Sequence, residues 1–154
     1  MTTGKVEDKE TLLDAVATAF SRLRRRTSDV DVGPSVTRKD HTRILVITVV
    51  EEADGEVTVG AVAEHLGVDA SVASRMVSDC IVGGYLRRAV SQEDGRRTVL
   101  ELTSGGEELR DRFRQKYRQT FEHITRDWRE EDRLEFVRLL LQYVTATEAL
   151  RIGR

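Results

Sequence analysis

The stretch from Thr58 to Gly84, TVGAVAEHLGVDASVASRMVSDCIVGG, decides how the rest of the chain reads. Thr58 stands where a helix N-cap is needed, ahead of Val62, Ala63 and Leu66 at helical spacing. Gly67 follows as the C′ residue, the place where a left-handed backbone ends a helix. After Val68 alone, Asp69 is positioned as the N-cap of a second helix running to about Gly83. Two short helices joined by so short a glycine turn make a helix-turn-helix. On the second helix Ser71, Ser74, Arg75 and Ser78 fall at i, i+3, i+4 and i+7, and so share one face. Ala73, Val77, Cys80 and Gly84 share another, with Met76 beside them. Burying the second face leaves a small polar surface with one long cation at its middle.

Working outward, the period changes. Tyr85 to Val90 and Thr98 to Leu102 are strand candidates, joined by a basic tip from Ser91 to Arg97. A hairpin directly after a helix-turn-helix is a winged helix. Arg96 and Arg97 stand at its tip, Arg87 and Arg88 at its start, and Asp94 is expected to pair with Arg96 and fix its direction. Beyond Thr103, Leu109, Phe113, Tyr117, Phe121, Ile124 and Trp128 form one stripe, which predicts a helix of roughly 24 residues, about 36 Å long. A last helix covers roughly Glu130 to Ala149. Upstream, Leu13, Val16, Phe20 and Leu23 mark a helix over Lys9 to Arg26, and Gly33-Pro34 lies in a loop. Thr37, with Asp40 as capping-box partner, opens another helix through Ile44, Leu45 and Val49. Its β-branched run Ile47 to Val50 also admits a strand.

The chain of 154 residues suits one domain, and 39% apolar residues supply a core, with helices predominating. Lys+Arg 25 against Asp+Glu 27 excludes a polycation that coats nucleic acid indiscriminately. The placement of charge says more. Arg75, Arg87, Arg88, Arg96 and Arg97 gather on helix and wing, while Glu130, Glu131 and Asp132 lie on the distal helices. The single cysteine, Cys80, excludes a disulfide framework and a Cys-based zinc finger. His41, His65 and His123 show no metal-ligand spacing, so neither metal nor other cofactor is expected. No apolar run approaches the ~20 residues of a membrane span, and Met1 to Glu10 is too polar for a signal peptide, which points to a cytoplasmic protein. No G-x-S-x-G, P-loop or dinucleotide fingerprint is present, so an enzyme is not expected.

A face of Ser71, Ser74, Arg75 and Ser78 suits a major groove. Short serines let the backbone approach, and an arginine bonds guanine O6 and N7 together. The wing's Arg96 and Arg97 suit a minor groove or its phosphates, with Arg87 and Arg88 as candidate phosphate contacts. Taken with these residues, the chain resembles the MarR family of winged-helix transcription regulators over nearly its whole length. The matches are Thr58 to Gly67, Val68 to Val77, Gly84 to Arg88, and above all Asp94 to Thr103. That last run fits the family's D-x-R-x-x-x-x-x-L-T pattern and is followed by Gly106. Gly83-Gly84 departs from the more usual Ala-Gly or Lys-Gly pair, and Ala70 from a larger polar residue.

The resemblance implies a mostly α fold with a small β-hairpin wing. A single domain over 1–154 is expected, with dimerisation helices from 9–36 and 103–154 and a winged helix-turn-helix lobe over 37–102. It implies a homodimer on a pseudo-palindromic double-stranded operator, acting as a repressor. Helix 69–83 would enter the major groove, and wing 91–97, through Arg96, the minor groove. A small aromatic or phenolic effector that releases DNA is a further implication. Arg24 and His41 are the candidate ligand-binding residues, although such residues more often serve as a surface group or a satisfied core residue. Cys80 reads as a core thiol rather than a redox sensor. The alternative is a winged-helix module that binds protein and not DNA.

Overall fold

Thr37 carries a complete capping box: its hydroxyl accepts the Asp40 N–H, and Asp40 accepts the Thr37 N–H, each at 3.1 Å. In the computed structural model, which describes residues 9–26 and 32–152, that box starts α2, Arg38–Glu52. The chain divides into two units, 1–32 and 33–154. The described helix of the first is α1, Lys9–Arg26, which exposes Leu12, Leu13 and Val16. The second holds α2, α3 (Val59–Leu66), α4 (Ala70–Val82), β1 (Leu86–Val90), β2 (Thr98–Leu102), α5 (Ser104–Ile124) and α6 (Glu130–Ile152). The fold is thus mostly α with a two-stranded antiparallel wing.

Ile47 to Val50 is helix, not strand. The ambiguity has a physical origin: α2 buries two sides. Val46 and Val49 enter a core with Val62 of α3, Ala73, Val77 and Cys80 of α4, Leu86 of β1 and Leu100 of β2. Ile47 instead meets Leu109 and Phe113 of α5. A helix buried on two sides has no single apolar stripe, so its pattern resembles a continuous buried strand.

The helix-turn-helix forms as its caps dictate. The Thr58 hydroxyl accepts the Ala61 N–H at 3.2 Å, and Gly67 ends α3 at φ +64°. Asp69 caps α4 through its backbone carbonyl, which accepts the Val72 and Ala73 N–H groups; its side chain makes no cap bond. α4 ends at Val82, so Gly84 is not on its buried face. It is an exposed turn residue at φ +78° that swings the chain into β1.

The hairpin pairs Leu86 with Leu102 and Val90 with Thr98, and Val57 adds a bridge to Leu100. Thr103 then stitches wing to helix. Its hydroxyl donates to the Gly84 carbonyl at 2.6 Å and accepts the Gly106 N–H at 3.1 Å, capping α5. A Cβ at Gly106 would collide with the Tyr85 carbonyl, which is why glycine stands there.

α5 is shorter than its stripe suggests. It has 21 residues, about 32 Å, and stops at Ile124. Thr125 returns both its N–H, at 2.9 Å, and its hydroxyl, at 2.7 Å, to the Phe121 carbonyl, and the chain turns. Trp128 therefore lies off α5, edge-on to Phe136 of α6 at 5.7 Å, while Phe121 stacks on Phe136 at 6.1 Å. α6 begins at Glu130 as expected, runs on to Ile152, and leaves Leu134, Leu141 and Leu150 well exposed.

Candidate nucleic-acid interface

α4 is amphipathic in the sense its sequence requires. Ala73, Val77 and Cys80 are wholly buried, and Ser71, Ser74, Arg75 and Ser78 are all exposed. A polyion pair fixes this helix to α2. Asp79 accepts from Lys39 Nζ and from Arg43 Nε, each at 2.8 Å. Arg43 also donates to Asp40 at 3.2 Å and lies 4.9 Å from the Tyr85 ring centroid, within cation–π range. The Lys39 hydrogen bond, then that of Arg43, holds the Asp79 carboxyl below its usual value. Burial pushes Asp40 up, but its bonds to Thr37 and Arg43 outweigh this and leave it lowered.

Cys80 sits on the buried side, its thiol pointing to the Arg43 carbonyl at 3.9 Å. Burial, with Asp79 nearby, pushes the thiol up to about 11, so the reactive thiolate is disfavoured.

α4 packs against β1, so helix and wing form one body. Arg88, Arg96 and Arg97 are exposed. Arg87, also exposed, is engaged: its guanidinium meets Glu101, directly opposite in the ladder, at 2.6 Å. Asp94 acts on the backbone rather than on the arginine head. It accepts the Arg96 N–H at 3.0 Å, and its carbonyl accepts the Arg97 N–H at 2.8 Å. The expected pairing across the tip is thus replaced by an Asx-type turn that shapes the main chain.

Sequence reasoning missed two groups here. One is the Lys39–Asp79–Arg43 set, whose partners lie too far apart in the chain to be paired by spacing. The other is Glu56, whose carboxylate accepts the Ser91 hydroxyl and the Gln92 N–H at the base of the wing. Ser91 three residues before Asp94 is a local turn signal, but nothing nearby points to Glu56.

Of the candidate ligand residues, the side chain of Arg24 lies outside the described residues. The exposed His41 ring sits edge-on to Phe113 at 5.1 Å, and Phe113 stacks on Tyr117 at 6.0 Å. Among the described residues, no three His, Cys, Asp or Glu side chains are placed to hold a metal ion. No described helix is long and apolar enough to cross a membrane.

Residues 36–97 match the MarR family. Among solved structures, the chain is similar to MarR itself at 17% identity, covering 100% of both chains with a TM-score of 0.61. It is similar to Streptococcus pneumoniae FabT in complex with DNA at 20% identity, covering 93% of this chain and 99% of that one, TM-score 0.56. S. aureus MepR bound to ethidium bromide is similar at 15% identity, covering 91% and 96%, TM-score 0.52. At such identities the likeness is one of fold. No curated protein sequence matches the chain.

Proposed function

On the premise that residues 36–97 form a MarR-family winged helix, we propose that this chain is a transcriptional regulator, not an enzyme, that binds double-stranded DNA by sequence. One observation carries the reading. α4 exposes Ser71, Ser74, Arg75 and Ser78 while its opposite face is fixed in the core, so a rigid polar face is available to a groove. Arg75 is the base-reading residue, and Arg96 and Arg97 of the wing take the minor groove or its phosphates. Arg88 contacts phosphate, and Arg87 does so once it leaves Glu101.

The finer features extend the same proposal. The chain acts as a homodimer and a repressor on a pseudo-palindromic operator, with half-sites about 10 bp apart. Helices of 9–36 and 103–154 supply the dimerisation region. The exposed leucines of α1 and of α6, each in its own unit, support this reading. A small aromatic or phenolic effector loosens DNA binding by linkage, with His41 and Arg24 as its candidate contacts. That MepR, a protein of this fold, is known with ethidium bound supports an organic ligand.

The test is a titration of Arg75→Ala against a selected operator and a scrambled duplex at two salt concentrations. The proposal expects a loss confined to the operator. An equal loss on both reduces Arg75 to a phosphate contact. Absence of binding to any duplex at low salt favours the protein-interaction module instead.

A further inference from the structure

The wing is held to the body of the lobe by a chain of hydrogen bonds that begins at Glu56. Glu56 precedes Val57, whose carbonyl accepts the Leu100 N–H at 2.8 Å, so its backbone is tied beside β2. One carboxylate oxygen accepts the Ser91 hydroxyl at 2.5 Å, and the other accepts the Gln92 N–H at 2.6 Å. Ser91 is buried, and its hydroxyl is used in full. It donates to Glu56 and accepts the N–H groups of Glu93, at 3.1 Å, and Asp94, at 2.9 Å. Asp94 in turn accepts from Arg96 and Arg97, and the Arg97 carbonyl closes the ring by accepting the Ser91 N–H at 2.9 Å.

We propose that Glu56 is the wing-positioning residue: acting through Ser91 and Asp94, it fixes the main chain that presents Arg96 and Arg97. The inference rests on the reading that these arginines meet DNA; Glu56 itself touches none. Two acceptor oxygens face two donors, so a carboxylate fits where a carboxamide does not. In Glu56→Gln the NH2 group would face either the Gln92 N–H or a Ser91 oxygen whose lone pairs are already taken. The Ser91 and Gln92 bonds also hold the Glu56 carboxyl below its usual value, and Arg97 contributes to that lowering.

The experiment compares full-length wild type, Glu56→Gln, Arg96→Ala/Arg97→Ala and the triple variant by two readouts. Amide exchange in the free protein should accelerate about tenfold at Gln92, Glu93, Asp94, Arg96 and Arg97 in Glu56→Gln, with protection in α3 and α4 unchanged. Affinity for a selected operator should fall about tenfold, yet Glu56→Gln should add no loss once both wing arginines are gone. Unchanged exchange at the wing overturns the proposal. So does an equal affinity loss with and without Arg96 and Arg97, which would mark a general structural role. Faster wing exchange in a protein that binds no duplex in any form overturns the DNA reading and leaves the latch itself standing.

Discussion

Arg43 Nε donates to Asp79 at 2.8 Å, an ion pair that spans from α2 to the helix presenting Arg75. The Arg43 side chain is only 14% exposed, so this pair is not one of the solvated surface bridges that contribute little. Arg43→Met should therefore cost about 1–3 kcal/mol of unfolding free energy, since it strips charged hydrogen bonds from Asp40 and Asp79. Lys39, 62% exposed on the other oxygen of Asp79, should cost well under about 1 kcal/mol as Lys39→Ala. Urea denaturation of the two variants checks the contrast.

The same carboxylates set an acid limit. Asp40 and Asp79 both titrate below the ordinary 3.8 when folded, so the unfolded chain binds protons first as pH drops. Their contribution is complete above the ordinary carboxylate range and is lost as pH falls through the lowered folded values. Stability should be level with respect to these groups from pH 7 to about 5 and fall below about 4. Asp79→Asn should be less stable at neutral pH and show a shallower acid decline. An identical slope in wild type and Asp79→Asn would remove Asp79 from the explanation.

Gly106→Ala separates packing from helix propensity. Alanine inside a helix normally gains up to about 1 kcal/mol over glycine. Here its Cβ would strike the Tyr85 carbonyl, a backbone atom that cannot swing aside. The variant should lose about 1–3 kcal/mol, read as a lower midpoint in thermal unfolding. Gly95→Ala, where a Cβ meets nothing within 4 Å, is the control.

Charges on the wing should divide by their partners. Arg88→Ala should weaken operator and scrambled duplexes alike and reduce the salt slope by about 1. Glu101→Gln should strengthen binding to both, because it releases Arg87 from its 2.6 Å ion pair. Fluorescence anisotropy over a salt series reads both effects.

Much of this architecture is written locally. Thr37 with Asp40, Thr58 and Gly67 each act within a few residues, so these caps and turns are legible from spacing alone. The exposed face of α4 is legible for the same reason: Ser71, Ser74, Arg75 and Ser78 follow one helical period. What spacing hides is tertiary. Trp128 continues the stripe of α5 on paper, but Thr125 bonds back to Phe121 and ends the helix. α2 conceals its period by burying Val46 and Ile47 in different clusters. Glu56 meets Ser91 across a separation that no local pattern marks, and Asp94 serves the Arg96 backbone where a side-chain pair was the natural guess.

Selection from a pool of random duplexes by the full-length protein bears most directly on the central claim. The DNA-binding reading predicts enrichment of pseudo-palindromes with half-sites about 10 bp apart, and loss of one preferred base pair per half-site with Arg75→Ala. A pool that emerges without sequence preference, or with a preference that Arg75→Ala leaves untouched, would contradict it.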